Sequence, residues 1–127
     1  MTGVTTFVLV TLLGGVGAAT RFVVDGAIRS RWPSGFPTAT VVVNVSGSLL
    51  LGLLTGVQLV HGLAPIAFTA AAVGFCGGYT TFSTAMVETV RLVQAGEVGR
   101  AAANALGTLV LCVGAAAAGV GLVWWTR

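Results

Sequence analysis

The chain has 127 residues, 56% of them hydrophobic and 7% charged, with a net charge of +3 and a mean hydropathy of +1.01. A soluble domain carries about 25% charged residues, so six Arg and three acidic side chains cannot cover a water-facing surface of this size. A soluble enzyme and a disordered chain are both excluded, and the Arg, spread along the chain, make no nucleic-acid patch.

Charges are absent from residues 1–20, 32–60, 62–87 and 101–126. A helix needs about 20 residues to cross a ~30 Å hydrocarbon core. The spacing predicts an all-α integral membrane fold of four transmembrane helices, near 3–23, 38–60, 65–90 and 99–125. Residues 1–127 then form a single unit with no second domain. On the first helix, Gly14 with Ala18 and Gly15 with Ala19 place small residues at i, i+4, a pattern that lets helix backbones approach. Arg21 closes this helix, and Asp25 lies past its end. Residues 29–37 read as an interfacial loop, with Trp32 at the headgroups.

The second helix carries Thr40, Asn44, Ser48 and Thr55 on one face. His61-Gly62 and Pro65 then make a short turn, with His61 a solvated or interfacial residue. On the third helix, Thr80, Thr84, Glu88 and Arg91 share a face. On the fourth, Asn104, Thr108 and Cys112 line up, with Arg100 just outside. Gly114 with Ala118 and Ala115 with Gly119 repeat the small-residue pattern, and Trp124 and Trp125 suit an interfacial belt. Cys76 and Cys112 read as small hydrophobes, without His or carboxylate neighbours for a metal.

A lone membrane Thr commonly bonds the carbonyl four residues back and does nothing more. Asn44 and Asn104 are harder to dismiss. Glu88 is hardest, because a mid-membrane carboxylate costs about 2.5–3.5 kcal/mol on insertion scales. Pairing with Arg91 would relieve it.

The densest stretch is Gly74-Phe75-Cys76-Gly77-Gly78-Tyr79-Thr80-Thr81-Phe82-Ser83-Thr84. Paired glycines followed by threonines are poor helix formers, so the third helix is expected to break near mid-span, at Gly77-Gly78. A break there is tolerated only inside protein or along a cavity. It frees carbonyls for a hard cation such as Na⁺, and N–H groups and a positive helix end for an anion. Amide and hydroxyl donors suit an anion, and a phenyl edge at Phe82 is electropositive. A passive path for a small, strongly hydrated anion fits these groups better than a pump. Paired carboxylates, a nucleophile triad, a phosphate loop and a His cluster are all missing from the sequence, so an enzyme is not expected.

These residues resemble a known family. Gly14-Gly15-Val16-Gly17-Ala18-Ala19-Thr20-Arg21-Phe22, Thr40-Val41-Val42-Val43-Asn44-Val45-Ser46-Gly47-Ser48 and the Gly74–Thr84 stretch look like the first, second and third helix motifs of the small fluoride channels called Fluc or CrcB. The resemblance implies an antiparallel, dual-topology dimer in the plasma (inner) membrane, with two fluoride pathways. It also implies a central structural Na⁺ held by the backbone carbonyls of Gly77 and Thr80. Asn44, Ser48, Thr81, Phe82, Ser83 and Thr108 would line the anion pathway, with Arg21, Glu88 and Asn104 as further intramembrane polar groups. The implied role is passive export of cytoplasmic fluoride, which lowers its toxicity.

Two positions depart from the family pattern. Ala85 stands where a second pore Phe is usual, and Asn104 where the fourth helix usually has Tyr. Arg is also biased: Arg21, Arg29, Arg31, Arg91 and Arg100 lie on the side of the first and third connections, and only Arg127 on the other. The positive-inside rule then favours one orientation, with both termini outside. An antiparallel homodimer and a heterodimer with an oppositely oriented paralogue are both open. A four-span proton-coupled multidrug exporter is a distant alternative, because it needs a carboxylate in the first helix. A subunit whose polar tracks only pack is a second.

Overall fold

The structure, a computed structural model, describes residues 2–127, and the helices there are built as membrane helices are. Helix α1 is Thr2–Arg31, α2 is Thr38–Val60, and α3 covers 65–79. Helix α4 is Phe82–Gln94, and α5 is Val98–Trp124. No strand occurs among the described residues.

Helix α1 runs past the expected end at 23. Arg29 Nε reaches back one turn to Asp25 Oδ2 at 2.7 Å, and such i, i+4 pairs support a helix end. Asp25, expected beyond the helix, is therefore inside it, and the loop shrinks to 32–37. Pro33 then forces Trp32 out of helical conformation. Helix α2 closes on Gly62, whose φ of +74° lets its N–H turn back to the Val57 carbonyl. Gly96, at φ +78°, closes α4 with its N–H on the Val93 carbonyl and the Glu97 N–H on the Leu92 carbonyl. Pro65 starts α3, where its missing N–H costs nothing.

Helices α1, α2 and α5 are each long and apolar enough to cross a bilayer, with windows of mean hydropathy 1.9, 1.8 and 2.2. Only 6%, 28% and 11% of those windows are buried, so most apolar side chains point outward, as they do toward lipid. The inward stripe of α2 is small or polar instead: Ala39, Thr40, Val43, Asn44, Gly47, Gly52 and Gly56.

Two close seams organise the helices. Helix α1 packs on α3, where a Cβ on Gly17 would overlap the Phe75 carbonyl and one on Gly78 the Gly14 carbonyl. Helix α2 packs on α5, where a Cβ on Gly52 would overlap the Ala116 carbonyl and one on Gly119 would come within 2.6 Å of the Leu49 carbonyl. Lipid-like surroundings give little hydrophobic drive between helices, so backbone proximity supplies the packing. Gly14 and Gly119 from the small-residue pairs do lie in the seams. Gly15 and Gly114 do not, since a Cβ there meets nothing within 4 Å.

The third span is broken, but not at its glycines. Gly77 and Gly78 remain helical. The chain leaves helical conformation at Thr80 (φ −80°, ψ 160°) and Thr81 (φ −147°, ψ 119°). Gly78 is small because α1 crosses it, while β-branched Thr80 and Thr81 take the extended backbone that suits them.

Substituting Gly78 by Val is expected to destabilise the fold by about 1–3 kcal/mol or more, because a backbone carbonyl cannot rotate away from the added carbons. Gly114→Ala is expected to be neutral. Thermal unfolding in detergent checks both, and equal melting temperatures for the two variants would contradict the seam.

Candidate functional site

The break is held by one side chain. Asn44 Nδ2 donates to the Thr81 carbonyl at 2.9 Å, and Asn44 Oδ1 accepts from the Thr81 N–H at 2.8 Å. The amide thus pairs with both backbone groups of one extended residue, as a neighbouring strand would. Asn44 is only 8% exposed, so these bonds form out of water. One N–H of its Nδ2 is left over.

The clamp releases carbonyls. A continuous helix would give the Thr81 N–H to the Gly77 carbonyl and the Thr84 N–H to the Thr80 carbonyl. Here the Thr81 N–H goes to Asn44, and the Thr84 N–H goes to Thr81 Oγ1 at 3.2 Å. Gly77 and Thr80 therefore lose their helical donors at the same break. Thr81 caps α4, and its hydroxyl donates to Thr84 Oγ1 at 3.1 Å, which leaves the Thr84 proton available. The Thr80 hydroxyl is spent on the Cys76 carbonyl at 2.8 Å.

Two cavities flank the break. The larger, about 390 Å³, is bordered by Asn44, Ser48, Gly77, Thr80, Thr81, Phe82, Asn104 and Thr108. It brings together all but one of the expected pathway residues. The exception is Ser83, which is exposed and lies outside it. Phe82 stands at this cavity 79% exposed. Helices α3 and α5 carry wide, π-type turns at 70–76 and 103–107, and both stretches reach the cavity. Such turns often mark functional sites. Cys76 and Cys112 border the same cavity as free thiols.

Ala85 and Asn104, the two departures, meet there. Thr89 donates its hydroxyl to the Ala85 carbonyl at 2.8 Å, so its oxygen accepts from Asn104 Nδ2 at 2.8 Å. This fixes the Asn104 amide, 2% exposed, with its oxygen turned from Thr89. Asn104 Oδ1 and Thr108 Oγ1 are buried without a hydrogen-bond partner among the described residues.

The smaller cavity, about 280 Å³, lies between α1, α2 and α4 and is bordered by Arg21, Asp25, Arg29, Thr40, Thr81 and Thr84. Glu88 does not pair with Arg91 as expected. Its Oε1 accepts from Arg29 at 2.7 Å, and Arg29 also donates to Asp25 and, at 3.3 Å, to Thr40. Sequence spacing does not reach this pair, because it places Arg29 in the loop at 29–37. Thr55 follows the ordinary behaviour of a membrane Thr and bonds the Leu51 carbonyl.

Ser46 was also missed. It lies off the Asn44 stripe and pairs with the Tyr79 hydroxyl at 2.9 Å. Tyr79 stacks on Phe75 with centroids 5.8 Å apart, which steadies the turn before the break. His61 is exposed and bonds Thr126 at 2.9 Å, joining the ends of α2 and α5. Arg127 lies 4.1 Å over Trp124 at that end.

Asn44→Leu removes both bonds and leaves Thr81 with buried, unpaired backbone groups. Its expected cost is about 2–4 kcal/mol. Melting temperatures in detergent check the clamp, and an Asn44→Leu variant that melts with wild type would contradict it.

The sequence pattern of the family described as CrcB-like protein, Camphor Resistance (CrcB), matches residues 8–120. A fluoride-specific ion channel FluC 1 of Leifsonia xyli subsp. xyli is 47% identical over 89% of this chain and 82% of its own length. A fluoride-specific ion channel FluC 2 of Mycolicibacterium paratuberculosis is 49% identical over 95% of this chain and 94% of its own. A fluoride-specific ion channel FluC of Nitrobacter winogradskyi is 41% identical over 93% and 95%. By pattern, by identity and by near-complete mutual coverage, the chain belongs to the CrcB-like family.

Proposed function

We propose that this chain is a subunit of a fluoride-specific channel of the plasma membrane, acting without catalysis. The observation that carries the reading is the Asn44-clamped break opening beside Phe82, in a chain whose relatives bear that channel name. Fluoride is small and strongly hydrated, so a path for it must replace water with fixed donors. The remaining Asn44 N–H and the hydroxyls of Ser48, Thr84 and Thr108 can donate, and the Phe82 edge adds a weaker positive surface. Thr81 acts by shaping the break, since its hydroxyl is already engaged. Flow down a gradient needs no further group, and fluoride would leave a loaded cell by this route and cease to be toxic.

Na⁺ fits the donor set at the break. Carbonyls suit a hard cation, and those of Gly77 and Thr80 have lost their helical donors. These are the two carbonyls that the family resemblance implies for the cation. Bound there, Na⁺ would supply fixed positive charge, and the residues of the break would hold it.

The exposed Phe82 and the open larger cavity favour a second subunit on this face, antiparallel as the family resemblance implies, with residues 1–127 as one four-span unit. A heterodimer with a paralogue is the second reading. It is favoured by the Arg bias and by Ala85 and Asn104 in place of aromatic residues.

Liposome efflux tests the proposal. The purified chain is expected to release fluoride and to hold chloride. Phe82→Ile is expected to slow release about 3- to 10-fold, from the loss of an aromatic contact of about 0.5–1.5 kcal/mol. Equal chloride and fluoride release would refute it. Release only after a paralogue is added would select the heterodimer. For the cation, the melting temperature is expected to rise with Na⁺ concentration and not with N-methylglucamine, and identical curves would remove Na⁺ from the break.

A further inference from the structure

Thr89 of α4 and Asn104 of α5 share a hydrogen bond whose direction can be reversed. Asn104 Nδ2 donates to Thr89 Oγ1 at 2.8 Å, and the Thr89 hydroxyl donates to the Ala85 carbonyl at 2.8 Å. Nδ2 also lies 3.4 Å from that carbonyl, so both contacts draw the amide nitrogen toward α4. Asn104 is 2% exposed, and its Oδ1 is buried with no hydrogen-bond partner among the described residues. A buried amide oxygen left unpaired is costly, and such groups collect where a ligand or a moving part belongs.

Thr89 does not border the larger cavity, whereas Asn104 and Thr108 do. The amide oxygen, turned from Thr89, is therefore on the side of the cavity, where a carbonyl oxygen opposes an anion. Thr108 stands one turn further along α5. Thr11, Thr20, Thr55, Thr80 and Thr89 each give their hydroxyl to the carbonyl four residues back. Thr108 follows the wide turn at 103–107 and makes no such bond, and its Oγ1 is likewise buried and unpaired. One unmet acceptor and one uncommitted hydroxyl thus adjoin on the same cavity.

The Thr89 hydroxyl can resolve this, because it both donates and accepts. When the Asn104 amide turns over, Oδ1 takes the place of Nδ2, and the Thr89 proton passes from the Ala85 carbonyl to Oδ1. The Ala85 carbonyl keeps the Thr89 N–H as its donor within α4. The amide N–H groups then face the cavity beside the Thr108 hydroxyl. Turning gives up the 3.4 Å contact with Ala85, which favours the orientation seen here. An anion reverses that balance, since hydrogen bonds to a charged acceptor are about twice as strong as neutral ones.

We propose that Thr89 is a positioning residue of the anion pathway: by changing from acceptor to donor it lets the Asn104 amide turn its N–H groups to a small anion beside Thr108. The inference rests on the channel reading. Valine at position 89 would keep the shape of Thr and lack the hydroxyl. The turned amide oxygen would then meet no donor, and the nitrogen would stay with the Ala85 carbonyl.

Fluoride efflux from liposomes is compared for wild type, Thr89→Val, Thr89→Ser, Asn104→Leu and the double variant Thr89→Val/Asn104→Leu. Thr89→Val and Asn104→Leu are each expected to slow release about 3- to 10-fold, the worth of one hydrogen bond. Thr89→Ser keeps the hydroxyl and is expected to stay within about twofold of wild type. The double variant is expected to be no slower than Asn104→Leu, because the two side chains act through one bond. A Thr89 that only braces α4 would slow release in both backgrounds, and that result overturns the proposal, as does Thr89→Val equal to wild type. Side-chain amide resonances of isotopically labelled protein in detergent give the second readout, with the Asn104 signals identified by their loss in Asn104→Leu. Fluoride is expected to shift them in wild type and Thr89→Ser but not in Thr89→Val, and chloride to leave them in place. A fluoride-selective channel whose Asn104 amide does not respond overturns the switch and leaves the channel reading standing. An amide that responds in a chain carrying no flux alone supports the switch and counts against the homomeric channel. Neither flux nor response overturns both.

Discussion

The structure depends on the exchange between Asn44 and Thr81. An apolar membrane offers no water to an interrupted helix, and each unmet backbone group there costs several kcal/mol. Asn44 meets that cost with one side chain, giving Thr81 a donor and an acceptor in strand-like geometry. The third span can then stop and restart within two residues. Everything proposed at the break follows from this: released carbonyls on one side, a capped helix start on the other, and a cavity against each.

The clamp works only because the backbones are close. Asn44 lies on the inner stripe of α2, with Gly47 one turn on, where a Cβ would overlap Thr80. On the opposite side, Gly78 lets α3 cross α1 beside Gly14. The glycines thus set the distance across which a short amide can reach. The seam glycines serve packing, while the break itself is formed by two threonines that tolerate extended backbone. Outside the seams, the surface is apolar, in keeping with lipid contact.

Charge is concentrated at one end, where it is ordered by pairing. Arg29 gathers Asp25, Glu88 and Thr40, tying the end of α1 to α2 and α4. Its long side chain spans an ion pair within its own helix and another across helices, which makes the order of pairing matter.

Much was legible in the sequence because membranes impose simple lengths. Charge-free runs place the helices, and the second and fourth agree with the structure within one or two residues. Asn44 stood out because an amide in an apolar span needs a partner, and the Gly74–Thr84 stretch because its composition opposes a continuous helix. Helical periodicity puts Ser48 with Asn44 and Thr108 with Asn104, while Phe82 stands out only through the third-helix motif, and the break sends Thr80 and Thr84, which periodicity joins, to different cavities. What periodicity cannot supply is the partner across helices. The Glu88 partner is Arg29, 59 positions away in the chain, and no spacing rule ranks it over Arg91, three away. The exact break depends on which donors Asn44 can reach, and Asn104 owes its orientation to Thr89 on another helix. The sequence by itself determined a glycine-rich membrane bundle with a weak third span. Only the tertiary structure decided where that span opens and which charges are left unpaired, because hydrogen bonds and ion pairs depend on distances between helices, and side-chain size at the seams sets those distances.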